Sequence, residues 1–124
     1  MNNSRHTGFT LIELVMVIVI LGVLAAVALP KFVSVDADAR AAALSGVAGG
    51  LSSASAINYA SRKVNATKGN AVANCSDVAN SLQGGLPSGY TITAATVAVD
   101  VTVACTLTQT TGSATTTFSA TGIL

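Results

Sequence analysis

Glu13 is the residue whose setting most demands an explanation. It lies in the run FTLIELVMVIVILGVLAAVAL, twenty-one residues (9–29) in which it is the single charge. An ionised carboxylate inside an apolar helix costs about 2.5–3.5 kcal/mol on membrane-insertion scales, and more without a partner. A cationic partner is therefore expected. A positively charged amino terminus on an axially staggered neighbouring chain would turn the buried acid into a registration device. The alternative is a Glu13 that stays hydrated near a membrane surface.

The other chemistry-bearing side chains are scattered. The lone histidine, His6, precedes the apolar run. No His, Cys or carboxylate cluster has metal-ligand spacing, and no Ser or Thr after the run has a His partner. Neither catalytic residues nor a metal or cofactor is expected, and the chain does not read as an enzyme. Gly84 and Gly85 lack the Lys and Ser/Thr of a phosphate loop and read as a turn. A net charge of +1 supplies no basic field for nucleic acid. Cys75 and Cys105 are an even pair in a chain whose apolar segment points to export, which predicts one disulfide in an oxidising compartment. Asn65-Ala66-Thr67 and Asn74-Cys75-Ser76 both match the N-glycosylation acceptor pattern. That pattern is common by chance and the second match uses a disulfide cysteine, so neither is assigned.

The apolar run must position Glu13, and as a helix it spans ~31 Å, enough to cross a bilayer's hydrocarbon core. The polar leader MNNSRHTG ahead of it has Arg5 as its fixed charge, which keeps the amino end cytoplasmic and sends the carboxyl end out. A secretory signal would be cut after the run, where Ala25, Ala26 and Ala28 imitate a cleavage site. The competing reading is cleavage between Gly8 and Phe9, which retains the helix. Gly22 and Pro30 punctuate the run; the stretch between them is expected to loosen when packed, or Gly22 serves close helix packing with Ala25 and Ala26.

The residues GFTLIELVMVIVILGVLAAVALPKF closely resemble the type IV pilins and pseudopilins, in the Gly-Phe junction, the Glu five residues into the mature chain, and the later Gly and Pro. The resemblance implies a prepilin peptidase that cuts between Gly8 and Phe9 and methylates the new amino group of Phe9. It implies that Glu13, Gly22 and Pro30 serve assembly. Implied partners are identical subunits, that peptidase, an inner-membrane assembly platform driven by a cytoplasmic ATPase, and the membrane before assembly. The segment PKFVSVDADARAAALSGV is similar to mannose-sensitive haemagglutinin pilins, a subgroup of the type IVa class. The implied function is that of a structural subunit of an extracellular filament for adhesion, motility or surface attachment.

Four segments are expected: a cleaved leader (1–8), a membrane-spanning and filament-core helix (9–30), an amphipathic helical stem (31–64), and a loop and antiparallel sheet domain with one disulfide (65–124). The fold class is α+β. In the stem, Phe32, Val35, Leu44, Val47 and Leu51 form an apolar stripe, and Ala42, Gly46, Gly50 and Ala54 a row of small residues that lets a sheet or helix approach. Asp36, Asp38 and Arg40 read as a solvated face, with an inter-subunit salt bridge as the alternative. Residues 65–87 read as a surface loop with a short helical turn over 76–82. An uninterrupted period of two over 97–108 predicts one strand with Val97, Val99, Val101, Val103, Cys105 and Leu107 inward, flanked by weaker strands at 90–94 and 114–120. Nineteen residues follow Cys105, enough for another strand, whereas the resembled family often ends soon after its second cysteine.

Two rival functions share parts of this pattern. A pseudopilin of a type II secretion system would share the amino-terminal half; the family's calcium site would need more carboxylates than Asp77 and Asp100 provide in the carboxyl half. A singly anchored binding module with a Thr-rich sheet would not require cleavage after Gly8.

Overall fold

The computed structural model describes residues 8–124, so Arg5, His6 and the rest of the leader as far as residue 7 lie outside the described residues. The α+β architecture is present. Helix α1 runs over Leu11–Val64, a 3-10 helix follows over Cys75–Ser81, and strands β1 (Tyr90–Ile92), β2 (Thr102–Gln109) and β3 (Thr115–Thr121) complete the chain. Two compact units divide between Asp38 and Ala39.

In the first unit α1 buries almost nothing. Leu11 is 79% exposed, Ile18 58% and Val27 67%, and no part of the described unit covers them. The backbone is helical through Gly22 and across Pro30, which lies inside α1 and leaves one carbonyl without its usual donor. Phe32 and Val35 also stand exposed here. The expected stripe therefore contributes to the core only from Leu44 onward.

In the second unit, Leu44, Ala48, Leu51, Ser55 and Asn58 are the buried face of α1, spaced alternately four and three residues apart. Leu44 and Leu51 were expected there. Ser55 and Asn58 were not, because polar side chains hide the continuation of the stripe. The Ser55 hydroxyl accepts from the Thr121 amide at 3.0 Å and the Ser52 hydroxyl from the Ser119 amide at 3.0 Å. Asn58 spans the chain at residue 70 with both amide atoms, accepting from the Asn70 amide at 2.7 Å and donating to its carbonyl at 2.8 Å. In the small-residue row, a side chain at Gly50 would face Leu82, whereas one at Gly46 would enter open space.

The sheet is an antiparallel meander in the order β1-β2-β3, with Cys105 opposite Phe118 and Thr91 opposite Thr108. The β2–β3 turn places Gly112 and Ser113 at positive φ. Residues 65–87 depart from the expected surface loop. The helical turn is there, but Val72, Cys75 and Val78 are each fully buried in the core. Cys75 and Val78 are three apart within the 3-10 helix, a period that carries them to one side, whereas Val72 precedes it and forms an antiparallel bridge with Ile123. Asn74 and Asp77 cap that helix reciprocally, with the Asp77 carboxylate accepting from the Asn74 amide at 2.8 Å.

The predicted strand over 97–108 is also corrected, since β2 begins only at Thr102. Residues 98–101 form a reverse turn closed by the Val101 amide on the Ala98 carbonyl at 3.2 Å, with Asp100 at φ 62°. Val97 is buried, but Val99 and Val101 are about half exposed, at 46% and 45%. Asp is poor in strands and tolerates positive φ better than most residues, so the single charge in the alternating run marks the break. Its carboxylate is fixed from α1, accepting from the Tyr59 hydroxyl at 2.9 Å and pairing with the Lys63 ammonium at 2.6 Å. Gly122 fits under this turn because any side chain there would strike the Ala98 carbonyl.

Cys75 and Cys105 form the disulfide, with a Cα–Cα distance of 5.7 Å and a separation of 30 residues. Closing a loop of that length stabilises by about 3–4 kcal/mol in the chain-entropy model. Replacing both cysteines by Ala should lower unfolding free energy by about that amount, read from the denaturant midpoint of the detergent-solubilised chain. An unchanged midpoint would refute the assignment of that role.

The Asp100 contacts have a pH signature. The hydrogen bond from Lys63, then that from Tyr59, holds the Asp100 carboxyl below its ordinary value, and the same Asp100 bond holds Lys63 above its own. A carboxyl lowered in the folded state contributes stability in full above its unfolded pKa and loses it as pH falls through the folded one. The raised lysine contributes in full below its unfolded pKa and loses it as pH rises through the folded one. Asp100→Asn should therefore flatten part of both limbs of the stability–pH curve; limbs superimposable on those of the parent chain would count against the pair.

Candidate functional site

The amino end of α1 gathers three of the residues the sequence singles out. Gly8 and Phe9 precede the helix, with Phe9 86% exposed, and Glu13 lies in its first turn. Thr10 is the residue just before Leu11, where α1 begins. Its hydroxyl accepts from the Glu13 amide at 3.3 Å, while the Glu13 carboxylate reaches back through Oε2 to accept from the Thr10 amide at 3.0 Å. This reciprocal capping box satisfies two of the donors that a helix start leaves open. A carboxylate at this end also complements the positive pole of the helix dipole. Sequence reasoning sets Glu13 against an outside cation or against hydration at a membrane surface, and not against its own backbone. The local signal, Thr followed three residues later by Glu before an apolar run, was present and missed.

The box uses one carboxylate oxygen. Among the described residues, Oε1 of Glu13 has no hydrogen bond, so it can accept one from a cation outside the chain. The amide that holds Oε2 belongs to Thr10, and cutting before Phe9 would leave it in place. Gly22 and Pro30 are on the same helix, nine and seventeen residues beyond Glu13, and take no part in this cluster. A side chain added at Gly22 would meet nothing within 4 Å. The Cys75–Cys105 pair belongs to the second unit. Among the described residues no group of three or more His, Cys, Asp or Glu is placed to hold a metal.

One comparison with known proteins falls on this region. Residues 3–29 match the family model described as the prokaryotic N-terminal methylation motif. The type IV narrow pilus major component PilA5 of Thermus thermophilus is 39% identical over 89 residues, covering 72% of this chain and 71% of that protein. The chain belongs to the type IV pilins. The type IV major pilin protein PilA of Myxococcus xanthus is 50% identical over 38 residues, 31% of this chain and 17% of that protein. No solved structure matches this chain significantly.

As a type IV pilin the chain is a structural subunit of a pilus, and the secretion-pseudopilin alternative is not better supported. Helix α1 is long and apolar enough to cross a membrane. The pilin's capping box leads to a direct expectation. Thr10→Ala should loosen the first turn by about 1 kcal/mol, seen as faster amide exchange at Glu13 in detergent micelles. Equal exchange in the two proteins would show that the box carries no weight.

Proposed function

We propose that the pilin is made as a precursor and cut by a prepilin peptidase between Gly8 and Phe9, with methylation of the new amino group of Phe9. Residues 1–8 are the leader, 9–30 span the inner membrane and later form the filament core, 31–64 are the stem, and 65–124 form the exported sheet domain. The amino end faces the cytoplasm until an inner-membrane assembly platform draws the subunit into an extracellular homopolymer used for attachment or motility.

The observation that carries this reading is the state of Glu13. One of its carboxylate oxygens is held by Thr10 and the other lacks a partner among the described residues, on a helix whose apolar side chains are uncovered. The amino group of Phe9 on a neighbouring subunit supplies the missing cation, and the surrounding subunits supply the cover. Packing also loosens the stretch between Gly22 and Pro30, where a missing side chain and a missing donor weaken the helix together.

Glu13→Ala removes the acid without reducing the apolar length, so membrane insertion should persist. Breaking a buried ion pair costs about 3–5 kcal/mol, so filament yield should fall well over tenfold. The measurement is surface filament recovered per unit of membrane-inserted subunit, with mass spectrometry of the parent filaments to establish a start at methylated Phe9. Normal piliation in the mutant would remove the pairing, and a start downstream of Ala28 would remove the whole scheme. Amide exchange in the same filaments tests the loosening, which strong protection throughout residues 22–30 would refute.

A further inference from the structure

We propose that Asn65 is a modification site, the attachment point of an N-linked saccharide. The two acceptor patterns that look alike in sequence are unlike in the fold. Asn65, Ala66 and Thr67 are all exposed, immediately after α1 ends at Val64. The Oδ1 atom of Asn65 accepts from the Thr67 amide at 3.0 Å and from the Thr67 hydroxyl at 2.8 Å. This Asx turn brings together the two side chains that the acceptor pattern requires. Among the described residues the Nδ2 of Asn65 has no acceptor, so it is open to an incoming electrophile.

The turn also has a chemical effect. Two hydrogen bonds into Oδ1 draw electron density from the amide and make its N–H more acidic, which eases proton loss as the nitrogen reacts. Asn74 makes the same pair of bonds, its Oδ1 accepting from the Ser76 amide at 3.3 Å and the Ser76 hydroxyl at 3.1 Å, but it is half-buried, also accepts from the Ala95 amide at 3.1 Å and caps the 3-10 helix. The middle residue of that triplet, Cys75, is fully buried and locked in the disulfide. A transferase could not seat that triplet without unfolding the core.

The co-reactant is a saccharide linked through pyrophosphate to a membrane lipid. In the transfer, the bond from the sugar's anomeric carbon to the pyrophosphate oxygen breaks and its electron pair leaves with the lipid pyrophosphate. A new bond forms from that carbon to Nδ2, and one amide proton passes to a base on the transferase. The inference rests on the reading above for one point, that residue 65 lies on the exported side of the membrane.

The test uses the full chain from its native host, taken both from surface filaments and from membranes, digested and read by peptide mass spectrometry. The peptide bearing Asn65 should carry a saccharide mass that is lost in Asn65→Gln and in Thr67→Val and retained in Thr67→Ser, while Asn74 stays unmodified. An intact crosslink between the peptides of Cys75 and Cys105 shows that each variant folded. An unmodified Asn65 in both fractions overturns the proposal, as does a saccharide on Ser or Thr with Asn65 bare. Filaments built from a chain that starts at Phe9 but carries a bare Asn65 would defeat the glycan alone. A glycosylated chain that never leaves the membrane would defeat the filament alone.

Discussion

The constraint on which the molecule depends is that the first half of α1 has no inside. Each Leu, Ile or Val side chain left in water forgoes about 1.5–3 kcal/mol of burial, and this helix presents a long series of them. Among the described residues nothing covers them. The helix must spend its life in lipid or among other apolar surfaces. In either setting Glu13 is the one group that is not at home. The capping box shows how the chain lowers that cost by itself, through a backbone donor on one oxygen. What it leaves open is what an outside cation can take up.

The second unit solves a different problem, that of holding a small sheet to a helix rich in Gly, Ala and Ser. Its apolar core is modest, from Leu44 and Leu51 on α1 to Leu107 and Phe118 on the sheet. Polar contacts supplement it at fixed points. Ser52, Ser55 and Asn58 tie α1 to backbone groups of β3 and of the segment around residue 70. Lys63 and Tyr59 tie the end of α1 to the turn at Asp100. The disulfide joins the 3-10 helix to β2 where both are buried. Small side chains on α1 allow this proximity, and hydroxyl and amide groups give it register.

Much of this was legible in the sequence, and the failures have identifiable causes. Periodicity and length were enough for the apolar helix, and alternation was enough for Val103 to Leu107 within β2. Alternation misled at Val99 and Val101, because a period of two does not reveal a reverse turn when valines continue on both sides of it. Asp100 was the signal, and its charge was read as outward-facing strand. Segment 65–87 looks like surface because its apolar residues are few, yet Cys75 and Val78 keep the spacing of a 3-10 turn and Val72 is buried through its bridge to Ile123. Ser55 and Asn58 were missed since no hydrophobicity pattern can find a polar residue buried for its hydrogen bonds. At the amino end, the capping role that Thr10 gives Glu13 rests on a three-residue spacing to which hydropathy is blind.

The hydroxyls of Ser52 and Ser55 have a consequence for a protein that exists at very high local concentration. A strand at the border of a sheet displays unused amides, and such a border invites a copy of itself to add on and propagate as an amyloid-like stack. On β3 the amides of Ser119 and Thr121 are already engaged by α1. Over the last half of that strand a second sheet would find no donors to bind. Crowded subunits are thereby turned away from one mode of aggregation.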